Sequence, residues 1–364
     1  MRMSRVDQPL LFIAATLVLL GVFVLSSASV VISQRAYGTP YLFTLRQITY
    51  ALVFGSLTVF LFQAISYRFW RKVALPLLLA ALFLSFLVFL PKIGIEHGGA
   101  RRWINLFFIT IQPAEILKFA FIVYLSTWLD SRRSHPKTVR GALVPFIVMM
   151  GVLSVFLIQQ PDIGTLGIIL GTSILLYFLG GGKMTQVLAL VGIGLIVLCF
   201  LVLAAPYRLE RFKIFLDPNL DPSGSGYQMK QSLIAIGSGG FWGKGFGKGI
   251  QKYNYLPEPI GDSVFAIFGE EMGFVGAAVL LGLFLLFLRR GIYIAEHAPD
   301  FFGTLLAFGF TIGILVQAVV NIGAISGILP LTGVPLPFIS YGGTSLITNL
   351  AGIGILLNIS KHMS

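Results

Sequence analysis

Apolar residues run through this chain in long unbroken stretches, not in alternation with polar ones. The runs cover residues 10–33, 42–63, 73–90, 113–129, 141–158, 163–180, 186–205, 263–288, 302–326 and 343–360. About 20 apolar residues in a helix cross a bilayer core, whereas barrel strands alternate over roughly 10 residues. The pattern therefore predicts an all-α polytopic membrane protein of about ten transmembrane helices. Its longest interruption, residues 206–262, predicts a large extracytoplasmic loop between helices 7 and 8. No fixed-period repeat divides the chain, so a single membrane domain over residues 1–364 is expected.

Composition agrees with that class. The chain is 56% hydrophobic and 11% charged, against about 25% charged in soluble domains. The first run, Leu10 to Ile32, exceeds a signal-peptide core and reads as a retained span. Cys199 is the only cysteine, which rules out an intrachain disulfide and a cysteine metal cluster. The net charge of +12 is spread over the loops. That suits membrane topology and anionic head groups, and no nucleic-acid partner is expected.

Basic residues set the orientation. Alternate loops carry Arg2 and Arg5; Arg68, Arg71 and Lys72; Arg132, Arg133, Lys137 and Arg140; Lys183; Arg289 and Arg290; then Lys361. The opposite short loops hold Arg35, Arg46, Lys92, Arg101 and Arg102. The positive-inside rule puts both termini in the cytoplasm. The loops near 91–112, 159–163, 206–262 and 327–342 then face outward, and their Gly and Pro residues predict re-entrant or extended segments around a polar cavity.

The few acidic residues narrow the search for chemistry. Asp7, Asp130, Glu296 and Asp300 fall beside cytoplasmic basic residues; Glu210, Asp217 and Asp221 lie among turn formers. Asp262 stands at the mouth of the eighth run, where it reads either as a helix N-cap or as a general base at a cavity edge. Glu258 precedes it by four residues, but Pro257 and Pro259 argue against a shared helical face. Glu115 and Lys118 share a face of the fourth helix, as a packing pair or as part of a site. Arg101 and Arg102 read as interfacial anchors or as a phosphate clamp.

GSGGFWGKGFGKG resembles a phosphate cradle, with Lys244 and Lys248 adding charge, but its spacing matches no nucleotide loop. YQMKQSLIAI just before it predicts a short amphipathic helix on the membrane surface. Glu270 and Glu271 face either the cavity or a neighbouring helix. His97, His135, His297 and His362 are scattered, and no metal-ligand constellation or nucleophile motif is present.

Six motifs then occur in one order: DQPLLF with LSSAS; GGARRWI with IQPAEILK; QQPDIGT; GSGYQMKQSLIAIGSGG; YLPEPIGDSVFAIFGEEMGFVG; and LPLTGVPLPFISYGGTSLITNL. Together they resemble the SEDS family (shape, elongation, division and sporulation), with loop wording similar to its FtsW branch. The resemblance implies a peptidoglycan glycosyltransferase that polymerises lipid II at the outer face of the bacterial cytoplasmic membrane. It implies a class B penicillin-binding protein and other divisome membrane proteins as partners. A divalent cation, Mg²⁺ or Mn²⁺, is compatible with it, with no organic cofactor.

Carried over by motif, the family's essential aspartate falls on Asp262. Arg102, Glu115, Lys118, Lys244, Lys248, Glu258 and Ser340 become the expected substrate-binding residues. One departure stands beside the aspartate: Ile260-Gly261 replaces the family's commoner His-Thr. A lipid II flippase would use a similar polar cavity, and so would the RodA-type elongation enzyme. Alternating access needs groups reachable from both sides, whereas the unusual residues here gather on one. A division scaffold would leave Asp262 dispensable.

Overall fold

The computed structural model describes residues 6–91, 93–97, 100–106, 109–133, 139–203, 205–221 and 224–363. Arg2, Arg5, Lys92, His135 and Lys137 lie outside the described residues, as do the side chains of His97 and Arg140. The chain begins with α1 (Gln8–Ala28), α2 (Val30–Tyr37), α3 (Leu42–Ala64) and α4 (Tyr67–Leu87). An antiparallel sheet follows, with β1 (Gly94–His97), β2 (Ala100–Leu106) and β3 (Ile109–Ile111) side by side in that order. Next come α5 (Pro113–Ser131), α6 (Gly141–Gln159), α7 (Ile163–Leu179) and α8 (Met184–Leu203). The long interruption holds α9 (Pro206–Leu216) and α10 (Ser225–Gly239). The chain closes with α11 (Val264–Glu296), α12 (Phe301–Ile325) and α13 (Gly343–Ser360).

Among the described residues, eight helices are long and apolar enough to cross a membrane: α1, α3, α4, α6, α8, α11, α12 and α13. The other two expected spans are also helices. α5 has 19 residues but carries Glu115, Lys118 and Asp130, and α7 has only 17 residues. α12 and α13 are the most buried of the long apolar helices and α8 the least. At one end of the bundle Asp7 accepts from Arg290 Nε at 2.8 Å, Asp130 pairs with Arg71 at 2.9 Å and Asp300 with Arg68 at 3.2 Å. Three of the four acids expected beside basic residues are thus paired with arginines there, whereas Glu296 is exposed.

The eighth apolar run is not one straight helix. Gly273 has φ +65° and ψ −163°, which breaks α11 into Val264–Met272 and Phe274–Glu296. A regular helix would bond Phe274 N to Glu270 O and Val275 N to Glu271 O. Instead Phe274 N donates to Gly240 O at 2.9 Å and Val275 N to Phe241 O at 3.1 Å. Lys244 N and Gly245 N in turn donate to Glu270 O and Glu271 O, both at 3.0 Å. The glycine-rich loop after α10 is thus a wedge that satisfies all four freed backbone groups, as a broken membrane helix requires. α10 packs along α11, and Gly239 lies directly against Gly269 O. The expected surface helix is therefore docked against its neighbour.

A Cβ at Gly273 would overlap Gly243 N and approach Phe241 O to 2.8 Å, in a backbone conformation that L side chains rarely adopt. Gly273→Ala should therefore lower stability by about 2–4 kcal/mol. Gly282 has nothing within 4 Å of its missing Cβ, so Gly282→Ala should stay within about 1 kcal/mol of the parent. Thermal unfolding of the two variants in detergent checks this.

Candidate active site

Strand alternation separates the two arginines of the GGARRW motif. Glu96 pairs with Arg101 across β1 and β2, and Arg101 Nε donates to Glu96 Oε2 at 3.1 Å on the exposed face. Arg102, the next residue, must point the other way. Its Nε donates to Gln160 O at 3.3 Å and its Nη2 to Pro161 O. The QQPDIGT motif therefore holds a guanidinium with two backbone carbonyls. Its Asp162 caps α7, accepting from Thr165 N at 3.2 Å.

Asp262 arrives from the opposite side of the chain. Ser263 occupies the N-cap position of α11 and makes no side-chain cap bond. The capping reading of Asp262 therefore does not hold. Its carboxylate accepts from Gln228 Nε2 of α10 at 3.3 and 3.4 Å, and from Ser263 Oγ at 3.4 Å. Asn321 Nδ2 of α12 donates to Asp262 O at 2.8 Å and also to Val334 O at 2.7 Å. Ser340 Oγ donates to Gly261 O at 2.7 Å, and Tyr341 N donates to Ile260 O at 2.8 Å. Ser340 is buried and also accepts from Leu336 N at 2.8 Å, so its hydroxyl clamps the backbone ahead of the aspartate.

Arg102 and Asp262 meet across Gly333. A Cβ on that exposed glycine would lie 3.8 Å from Arg102 Nη1 and 3.8 Å from Asp262 Oδ2. Both charged side chains are half-buried. Burial, with the Glu258 carboxylate nearby adding to it, pushes the Asp262 carboxyl up to about 6. Hydrogen bonds from Gln228, Ser263 and its own backbone amide only partly offset this. Glu258 is exposed and has φ +47°, in the left-handed region. Such a carboxylate can take a proton near neutral pH, with a guanidinium within reach of an anionic group at Gly333.

The other expected residues lie behind this opening or away from it. Glu115 and Lys118 are buried and form an ion pair at 2.6 Å. Lys118 also donates to Gln317 Oε1, and Gln317 Nε2 donates to Pro335 O at 2.9 Å. The pair thus supports the 331–341 segment from below and is not exposed to the opening. Lys244 is ion-paired with Glu270 at 2.7 Å, while Lys248 is exposed. The cradle does bind carboxylates, but they are the protein's own. Ile250 N and Gln251 N donate to Glu270 at 2.9 and 3.1 Å, and Gly249 N donates to Glu271 at 3.2 Å. Lys252 is buried and donates to Glu271 Oε1 at 2.7 Å, Ser27 Oγ at 2.6 Å and Gly247 O at 2.8 Å.

Gln228, Gln317, Asn321 and Gly333 were not singled out from the sequence. Two carried a signal: Gln317 and Asn321 are four residues apart in an apolar span, where amides serve as interhelical ties.

A helical membrane protein with a half-buried carboxylate facing a guanidinium is the class this architecture defines. Residues 7–364 match the family model for the FtsW, RodA and SpoVE proteins, described as "Cell cycle protein". The chain is 40% identical over 365 residues to "Probable peptidoglycan glycosyltransferase FtsW" of Geobacter sp. (strain M18), covering 100% of this chain and 98% of that one. It is 38% identical to stage V sporulation protein E of Bacillus subtilis (strain 168), covering 100% and 99%. A solved structure described as "Structural coordination of polymerization and crosslinking by a peptidoglycan synthase complex" superposes with a TM-score of 0.80 at 31% identity, covering 98% of each chain. The rod shape determining protein RodA of Thermus thermophilus gives a TM-score of 0.72 at 30% identity, covering 98% and 97%. The chain belongs to the SEDS family of FtsW, RodA and SpoVE proteins, and it is an integral inner-membrane protein.

Removing one partner of a buried ion pair costs about 3–5 kcal/mol, mostly from the stranded charge. Lys118→Met should lose that much, and the double variant Glu115→Gln/Lys118→Met should recover most of it. Unfolding midpoints of both in detergent provide the check.

Proposed function

We propose that this protein, a glycosyltransferase by family, polymerises lipid II into glycan strands at the outer face of the bacterial cytoplasmic membrane, in septal synthesis during cell division. One observation carries the reading: Asp262 Oδ2 and Arg102 Nη1 flank the exposed Gly333, each 3.8 Å from the position of its missing Cβ. The 4-hydroxyl of the acceptor sugar attacks the anomeric carbon of the donor. A new C–O bond forms, the bond to the lipid pyrophosphate breaks, and the hydroxyl proton passes to Asp262. Arg102 takes up the charge that develops on the pyrophosphate. Asn321, Ser340 and the Glu115–Lys118–Gln317 chain act as positioning residues, because they hold the two backbone segments that bear the opening. Glu258 tunes Asp262 through its charge.

A divalent cation, Mg²⁺ or Mn²⁺, belongs to the same proposal. No group of three metal-ligating side chains is gathered among the described residues. The donors available are Asp262 and Glu258, whose mutual repulsion a cation would relieve, so phosphate oxygens of the substrate would supply most of its shell. Bound there, the ion would add positive charge beside the leaving pyrophosphate. Both termini face the cytoplasm in this reading, and the partners are a class B penicillin-binding protein and other divisome membrane proteins. Support for such a partner comes from the synthase complex to which the fold is similar. The break in α11 is also a feature of transporters. Four backbone bonds lock it here, which favours a fixed site over a moving gate.

In detergent, where no membrane asymmetry exists, purified protein with lipid II and the partner should make glycan polymer. Asp262→Asn should lower the rate by about 10²–10⁴-fold while the fold is retained. Polymer formation at the parental rate in that variant would sink the assignment.

The carboxyl acts in its deprotonated form, so the rate should fall as pH drops through about 6. Glu258→Gln removes a neighbouring negative charge, makes deprotonation easier and should move that acid limb to lower pH. The shape of the pH–rate profile, whatever its plateau, is the measurement.

A further inference from the structure

The wedge loop that repairs α11 has an outer side. Phe241, Trp242, Phe246 and Ile250 are 57%, 77%, 44% and 55% exposed. Clustered large apolar side chains at a surface mark an interaction site, whereas scattered ones do not. Three of these side chains, all rings, pack against others in two groups. Phe241 stacks on Phe274 with centroids 5.7 Å apart, and Trp242 meets Phe241 edge-on at 5.1 Å. Phe246 stacks on Phe23 at 4.1 Å.

The two rings underneath belong to helices that cross the membrane, and both are themselves exposed. Phe274 is the first residue after the break, and Phe274–Glu296 is about 34 Å long, enough to cross the hydrocarbon core alone. It therefore marks one membrane boundary. Ser27 Oγ donates to Glu271 Oε1 at 2.7 Å; Phe23 lies one turn before Ser27 and Phe274 just under one turn after Glu271, so the two rings sit at similar depths. Exposed aromatic rings at that depth match the belts that proteins place among lipid head groups. Lys248 is exposed between Phe246 and Ile250, with a long apolar stem and a charged tip suited to the same layer.

We propose that residues 241–250 are an interfacial anchor that inserts its aromatic side chains into the head-group layer of the lipid bilayer. The wedge is bonded to the half-helix Val264–Met272, so the anchor fixes the depth of Asp262 relative to the lipid phosphates. That depth matters for any substrate whose polar head begins at a membrane surface. The occupant is phospholipid. A protein lying over the same rings is the rival, and the measurement below separates the two.

Trp242→Phe is conservative and leaves Trp70, Trp103 and Trp128 in place. The difference in emission between parent and variant, reconstituted alone in phosphatidylethanolamine–phosphatidylglycerol vesicles, therefore reports Trp242. Lipids brominated near the head group should remove most of that emission, and lipids brominated near the chain ends less of it. The proposal fails if the Trp242 emission ignores brominated lipid and is quenched by aqueous iodide. It fails equally if quenching is the same at both depths. The readout needs no catalysis, so its failure would leave the assigned reaction untouched.

Discussion

Two helical hydrogen bonds are missing from α11, and the part of the molecule that carries Asp262 is arranged around their replacement. An unpaired buried backbone group costs about 1–3 kcal/mol, so four of them would cost roughly 4–12 kcal/mol. A whole domain is held by only about 5–15 kcal/mol. The break at Gly273 and the wedge at residues 240–245 must therefore form together. Once they do, Val264–Met272 is released from the line of the transmembrane segment, and Asp262 can be held at its start against α10 and α12.

Electrostatics divide the carboxylates of this segment into two kinds. Glu270 and Glu271 are almost wholly buried, yet between them they receive two lysines, one serine hydroxyl and three loop amides. Buried pairs of this sort add little net stability over an apolar core, because desolvation cancels most of the attraction. What they fix is register: the loop must meet the helix at one position for each donor to find its oxygen. Asp262 receives longer side-chain bonds, 3.3–3.4 Å, and has a like charge nearby. Asp262 is left with the weaker donors, because Glu270 and Glu271 have taken the strong ones.

Much of this was legible from residue patterns, and the parts that were not share a cause. Runs of apolar residues located the spans because bilayer thickness acts on each helix separately. The glycine–lysine loop was legible as an anion binder, but composition cannot say whether the anion is a ligand or the protein's own Glu270 and Glu271. The break at Gly273 was not legible, since glycine is common inside membrane helices and its φ here is set by a loop thirty residues upstream. Arg101 and Arg102 looked equivalent until β2 turned them to opposite faces. Asp262 could be found through its motif, whereas its N-cap alternative failed because the helix starts two residues later.

The departure from the family wording ahead of the aspartate can be weighed in the same terms. Where the family resemblance leads one to expect His-Thr, Ile260 and Gly261 have no polar side chain to offer. The backbone does not need one. Three successive carbonyls, Ile260 O, Gly261 O and Asp262 O, accept from Tyr341 N, Ser340 Oγ and Asn321 Nδ2 at 2.8, 2.7 and 2.8 Å. Every donor comes from α12 or the segment before α13, and none depends on the side chains at 260 or 261. Each net bond is worth about 1 kcal/mol, and together they fix three peptide planes in a row. The carboxylate's own bonds come from Gln228 and Ser263. The position of Asp262 is therefore held by its carbonyls and its helix neighbours, and apolar side chains at the two preceding positions leave it in place.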